Sequence, residues 1–232
     1  MTGIRRFYKT VSAAAGDSGW QVRLDGRPVR TPGRAVLAVP SQTLAEGMVA
    51  EWDAQSETIR PDSMPLTQLA STAIDRVTPH RDQVIDAIAG FAATDLLCHR
   101  AAAPQALVLR QHAQWPPLLD WAASRLDAPL TATEGVMAVQ QPAGSLAAIR
   151  AAVAGYDDFR VAALHVIASV TGSVVVALAL LQGEIDAAAA WAVGQLDEDW
   201  QIERWGEEET AAERRRHLKA ELDSAARFVT LL

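Results

Sequence analysis

The feature that most constrains this fold is a run of 21 residues, Val161 to Leu181, in which His165 is the only side chain that can carry a charge. An apolar stretch of that length either spans a bilayer or forms the buried centre of a helical domain. The run contains the small, polar string Thr171–Ser173, and no aromatic belt flanks it. We therefore predict a single buried helix over 161–181, with a membrane anchor as the alternative.

The first forty residues carry strand patterns instead. Trp20 to Leu24 alternates apolar and polar side chains, and Asp25-Gly26 follows as a hairpin signal. A second turn pair, Pro32-Gly33, precedes another apolar stretch, and 7–11 is predicted as one more strand of the same small antiparallel sheet.

Helical periodicity begins after Ser41, a predicted N-cap, and continues to the end of the chain. The fold class is therefore α+β, with a small N-terminal antiparallel β domain (1–58, ending in a helix) and a larger all-helical C-terminal domain (59–232). Within the second domain the string Asp95–Arg100 continues in helical period, whereas 129–143 fits either a loop or an extended piece. Helices are predicted over 41–55, 66–77, 78–91, 105–114, 117–127, 161–181 and 184–205, and from Ser145 onward throughout.

Composition narrows the class of function. The chain has 28 acidic and 21 basic residues and a net charge of −7, which argues against nucleic-acid binding. The charge is uneven, because residues 1–34 hold seven bases and two acids while 183–209 hold nine acids and one base. Cys98 is the only cysteine and no signal-peptide pattern opens the chain, so a reducing, cytoplasmic setting is expected.

The predicted helix 184–205 carries an unusual mixture of acids and tryptophans. At 100° per residue, Trp200 lies on the same side as Leu196, which is the inward side. Trp191, Ile202 and Trp205 lie on the opposite side together with Glu198. A carboxylate is costly to bury without a partner, so this second side is the candidate interaction surface. A solvated acidic face is the alternative. The last helix places Arg214–Arg216 on its outer side.

Catalytic patterns are weak by comparison. Cys98 and His99 are adjacent, and neighbouring helical side chains point about 100° apart, so a buried cysteine is favoured over a nucleophile. The five histidines lack metal-ligand spacing, and neither a metal site nor a cofactor is predicted. The competing hypothesis is a small-molecule-binding protein or enzyme with a pocket between the two domains, around Asp95, His99 and Arg100.

Six strings occur in order along the chain: RRFYKTV, VRLDGRPVRTP, EWDAQ with IRPDSMPLTQLASTAID, TDLLCHRA, TGSVVVALAL and DEDWQIERWGEEE. Together they resemble the ATP synthase F1 assembly chaperones that bind the alpha subunit, and the resemblance runs from Arg5 to Phe228. Pro116 departs from the pattern, because relatives often carry an acidic residue there.

The resemblance implies a non-enzymatic chaperone that shields the beta-contacting surface of the alpha subunit and promotes F1 assembly. The missing mitochondrial presequence favours a bacterial cytoplasmic member. The protein is also expected to be monomeric when free and not to insert stably into a membrane. The family motif maps onto Glu198, Trp200, Gln201, Trp205 and Gly206, with Trp52 in the first helix and Asp95 in TDLLCHRA. The residues expected to contact the partner are Glu198, Ile202, Glu203, Trp205 and Glu207.

Overall fold

The computed structural model describes residues 4–135 and 139–232. It has the predicted α+β organisation, a small N-terminal antiparallel sheet followed by a mostly helical region. The domain boundary at residue 58 stays a prediction. The chain divides into two compact units, one made of 1–81, 158–163 and 227–232 and the other of 82–157 and 164–226.

The N-terminal sheet is built on a central strand, β2 (Gly19–Leu24). It pairs antiparallel with β1 (Val11–Gly16), β3 (Arg27–Pro28) and β4 (Ala38–Val39). The predicted turn between β2 and β3 is confirmed, since Asp25 and Gly26 both have positive φ, 48° and 80°, as a tight hairpin requires. The strand predicted over 7–11 is wrong, because regular pairing begins only at Val11.

The first helix, α1 (Gln42–Asp53), begins where the sequence predicts. The Ser41 hydroxyl accepts a hydrogen bond from the Leu44 backbone N–H at 3.0 Å, which confirms the N-cap. The next predicted helix is regular only over α2 (Pro65–Thr72). It continues as a π-helical turn over Ala73–Val77, a wider hydrogen-bonding pattern that apolar periodicity does not reveal.

The remaining chain is mostly helical but not entirely so. The prediction of helix over Asp95–Arg100 is wrong: a 3₁₀ turn, Leu96–Cys98, leads into β5 (His99–Arg100). This strand pairs in parallel with β6 (Thr133–Glu134), so 129–143 contains an extended piece, and its residues 136–138 lie outside those described. The helices are α3 (Arg81–Gly90), α4 (Gln105–Gln114), α5 (Pro116–Arg125), α6 (Ala143–Ala154), α7 (Asp158–Thr171), α8 (Val174–Leu181), α9 (Ala187–Gly194), α10 (Leu196–Trp205) and α11 (Glu209–Thr230).

The uncharged run is two helices rather than one. Gly172, with φ +67°, ends α7 in a left-handed conformation that favours glycine. The Ser173 hydroxyl then caps α8 by accepting from the Val176 N–H at 3.0 Å. The run is buried as predicted from Val174 to Leu180. Over residues 4–135 and 139–232, no helix combines the length and the apolar character needed to cross a membrane.

The predicted helix 184–205 is also divided. Asp186 caps α9 by accepting from the Ala189 N–H at 2.8 Å, and α9 ends at Gly194 before α10 begins at Leu196. A Cβ atom at Gly194 would lie 3.0 Å from Thr171, so glycine permits the close approach of α9 to α7 there. The 100° spacing of side chains therefore does not continue from α9 into α10, and the two helices do not share one set of faces.

Candidate functional site

Helix α10 has one buried side and one exposed side. Trp200 is 5% exposed and Leu196 is also buried, whereas Trp205 is 77% exposed. Ile202 is half-buried and Glu198 is exposed. These exposed fractions confirm the prediction that Trp200 points inward and Trp205 outward. Glu198, Ile202 and Trp205 follow the i, i+4, i+7 spacing of one helical face.

Two arginines cover the buried tryptophan. The guanidinium carbons of Arg110 and Arg204 lie 4.9 and 4.3 Å from the Trp200 ring centroid, within cation–π range. Arg110 also donates to both carboxylate oxygens of Glu203, at 2.8 and 2.5 Å. These hydrogen bonds lower the pKa of Glu203 below its usual value and raise the pKa of Arg110. One guanidinium thus packs on Trp200 and pairs with an acid of α10.

Other acids of the cluster have partners within the protein too. The Gln111 side-chain N–H donates to Asp197 at 2.8 Å, and Arg215 of α11 pairs with Asp199. Arg215 also lies 3.9 Å from a carboxylate oxygen of Glu207. Three of these acids, Asp199, Glu203 and Glu207, therefore lie against arginines of the same protein, and a fourth, Asp197, accepts from an amide.

Glu198 has no such partner in the part of the chain that the structure describes. Within residues 4–135 and 139–232, it has neither an ion-pair partner nor a side-chain hydrogen bond. It lies one and two helical turns from Ile202 and Trp205. We call the face formed by Glu198, Ile202 and Trp205 the α10 outer face. It presents an apolar ring beside a free carboxylate.

Trp191 does not belong to this face, so the sequence-based grouping is wrong. It lies on α9, before the break at Gln195, and is half-buried. The charged ends of Arg215 and Lys219 lie 5.4 and 5.8 Å from its ring centroid. The division of the predicted helix explains the error.

The other family-motif residues have distinct positions. Gln201 is exposed on α10, and Gly206 ends that helix with φ +80° while its N–H donates to the Ile202 carbonyl oxygen at 2.8 Å. Trp52 is half-buried on α1, and its carbonyl oxygen accepts from the Tyr8 hydroxyl at 2.6 Å. Gly206 thus stops α10 immediately after the exposed Trp205.

Asp95 and Arg100, proposed as pocket residues in the competing hypothesis, are both buried. Asp95 accepts from the N–H groups of Leu97 and Val175 at 3.1 and 3.2 Å, and burial raises its pKa to about 6. Arg100 donates to the Gln111 carbonyl oxygen at 3.1 Å. These contacts hold backbone segments together and leave neither group presented to a ligand.

The neighbouring Cys98 and His99 show no catalytic pairing. Cys98 is buried, as predicted, and His99 is half-buried in β5. Burial raises the pKa of the Cys98 thiol to about 12, so the nucleophilic thiolate is scarce at neutral pH.

Sequence reasoning missed Arg110 and Arg215 as partners of the acidic cluster. Arg110 is 93 residues from Glu203, a separation that no helical spacing rule covers. Arg215 was expected on the outer side of the last helix, but it packs on Trp191 and pairs with Asp199. The imbalance of charge in 196–209 is the sequence signal for such partners. Seven acids accompany a single local base there, so bases from distant parts of the chain are expected to pair with some of them.

Comparisons with known proteins agree on one family. Residues 5–123 match the model of the ATP12 chaperone protein family. A mitochondrial atp12 protein of Schizosaccharomyces pombe is 26% identical over 221 residues, covering 90% of this chain and 76% of that protein. The crystal structure of Atp12 from Paracoccus denitrificans has a TM-score of 0.94 and 43% identity, covering 98% of this chain and 97% of that one. A protein from Agrobacterium tumefaciens has a TM-score of 0.92 and 42% identity, covering 97% and 85%.

Proposed function

We propose, from the premise that this chain belongs to the ATP12 chaperone protein family, that it binds the unassembled alpha subunit of the ATP synthase F1 sector. Membership makes the chain an ATP synthase assembly chaperone. The choice of the alpha subunit, and of the surface that receives it, is the proposed step.

The observation that carries the proposal is the exposure of Trp205 beside Ile202. A tryptophan that is 77% exposed costs free energy in water unless a partner covers it. A ring subunit without its neighbours exposes an apolar interface that favours aggregation. Tryptophan is among the residues enriched at energetically dominant contacts, so the α10 outer face suits such an interface.

The acids then have two proposed roles. Glu198, which lacks an internal partner within the described residues, meets a basic group on the alpha subunit and supplies specificity and a faster encounter. Glu203 and Glu207 form a polar rim. Their negative charges are already compensated within the protein, Glu203 by Arg110 and Glu207 by Arg215. A rim of this kind keeps a complex soluble and permits release.

The proposed mechanism is holding rather than catalysis. The chain works as a monomer, without a cofactor, in the bacterial cytoplasm where alpha subunits are made. The beta subunit displaces it by competing for the same surface, so no nucleotide hydrolysis is required. Release follows from the affinity difference between the two partners.

Co-expression tests this function directly. We expect the soluble fraction of the alpha subunit to rise several-fold when this chain is produced with it, because the chaperone covers the aggregating interface. The Glu198→Lys variant should lose most of that gain, since it places a cation opposite the basic partner. Soluble alpha subunit is measured by quantitative immunoblotting after centrifugation.

The matched control is Asp120→Lys, which makes the same charge reversal at an exposed position on α5. It should retain the full effect of the wild type. Equal loss in both variants would assign the effect to net charge, and equal retention would remove Glu198 from the proposed contact.

A further inference from the structure

The N-terminal unit contains an apolar groove that the proposed function does not use. One cleft of about 630 Å³ and another of about 490 Å³ meet at Phe7, Val29, Arg30 and Trp52, which line both. We call this combined cleft the N-terminal groove. The volume of each of the two clefts falls within the range of roughly 300–1,000 Å³ that is typical of ligand-binding clefts.

Large apolar side chains are exposed at this groove. Phe7 is 70% exposed and Ile4 is 69% exposed, although both line the larger cleft. Buried residues such as Leu37, Ile59 and Met64 form its floor. Exposed aromatic and aliphatic groups above an apolar floor are typical of a surface that another polypeptide covers.

The charges around the groove favour an acidic occupant. Arg27, Arg30 and Arg76 line it, and within the described residues none of the three forms an ion pair with a carboxylate. Arg30 donates through one nitrogen to the Arg34 carbonyl oxygen at 2.8 Å, which leaves its other N–H groups free for a ligand. The surrounding segment 1–34 is basic as well, with seven bases and two acids.

The two acids that line the groove are already engaged. Asp25 accepts from the N–H groups of Lys9 and Thr10 at 3.0 and 2.9 Å, and these bonds lower its pKa. The two oxygens of Asp75 accept from the Thr31 hydroxyl and the Gly33 N–H, both at 2.7 Å. Both carboxylates are thus held by other donors, and neither forms an ion pair with Arg27, Arg30 or Arg76 within the described residues.

We propose that the N-terminal groove binds a polypeptide segment that carries large apolar side chains flanked by Asp or Glu. The apolar side chains fill the clefts beside Phe7 and Trp52, and the flanking carboxylates meet Arg27, Arg30 and Arg76. The groove is a second docking surface, separate in sequence and chemistry from the acidic α10 outer face. Two surfaces of opposite charge would let one chaperone select two different segments of its clients.

A phage-displayed random peptide library, selected on the full chain, tests the inference. We expect the enriched sequences to combine aromatic or aliphatic residues with Asp or Glu. A synthetic peptide of the most enriched sequence, labelled with fluorescein, should bind about tenfold more weakly to Phe7→Ser, because most of that ring is exposed and its loss removes an anchor. Arg76→Glu should weaken the same peptide and reduce the salt dependence of its affinity.

The matched control is Leu109→Ser, which removes another exposed large apolar side chain, on α4, and should leave the peptide affinity unchanged. Enrichment of basic sequences, no enrichment, or equal binding by Phe7→Ser would overturn the proposal. A dimer of the free chain that Phe7→Ser dissociates in analytical ultracentrifugation would do so too, since a second copy would then fill the groove. None of these readouts involves the alpha subunit, so they fail or succeed independently of the proposed function.

Discussion

Replacement of Trp200 by alanine is expected to lower the free energy of unfolding by about 3–5 kcal/mol. The indole is almost fully buried, so its removal loses apolar burial and leaves a cavity. It also removes the ring on which Arg110 and Arg204 pack. Urea denaturation followed by far-ultraviolet circular dichroism measures the change.

The Trp205→Ala variant is the control for this experiment. Its side chain is mostly exposed, and surface substitutions usually change stability by about 0.5 kcal/mol or less. The two tryptophans lie five residues apart on α10, yet their expected effects differ severalfold. Equal destabilisation by both variants would contradict the assignment of inner and outer faces.

Replacement of Asp95 by alanine is the second large expected effect. Its carboxyl group accepts from the Leu97 and Val175 N–H groups and so joins the 3₁₀ turn to the beginning of α8. Alanine would leave these buried donors without acceptors, at about 1–3 kcal/mol each. The variant Asp120→Ala, at an exposed position, should stay close to the wild type.

The cost of Asp95→Ala should depend on pH. Burial raises the pKa of Asp95 in the folded protein to about 6, above the usual aspartate value of 3.8. A raised folded-state pKa gives a contribution that is complete below about pH 4 and is lost as the pH rises through about 6. The free energy of unfolding of the wild type should therefore exceed that of Asp95→Ala by about 2 kcal/mol more at about pH 4 than at about pH 7. A gap that stays constant, or that widens as the pH rises, would refute the raised pKa.

Local patterns predicted much of the fold because they report local physics. Ser41, the Asp25-Gly26 turn and the burial of 174–180 follow from capping, positive φ and hydrophobicity, each of which acts within a few residues. The family resemblance was recovered by comparison over most of the chain.

The errors arose where single residues override a period. Gly172 with Ser173, and the break at Gln195, each divide an apolar pattern that reads as one helix. Trp191 was consequently assigned to the wrong face. Periodicity records which side chains prefer burial and does not record where the backbone changes direction.

The candidate site was only partly predictable for a similar reason. The opposite exposure of Trp200 and Trp205 follows from helical phase within α10. The pairing of Glu203 with Arg110, and of Asp199 with Arg215, depends on tertiary packing of α4 and α11 against other parts of the same unit. These pairs leave Glu198 as the free carboxylate of the α10 outer face.

The most direct test of the central claim is the affinity of the purified chain for the alpha subunit, measured by surface plasmon resonance at low and high salt. We predict that Trp205→Ser weakens binding by about tenfold or more at both salt concentrations, since it removes an apolar anchor. Glu198→Lys should weaken it most at low salt, where the charge is least screened. Both variants should unfold like the wild type. Wild-type affinity in these two folded variants would contradict the assignment of the α10 outer face as the client-binding surface.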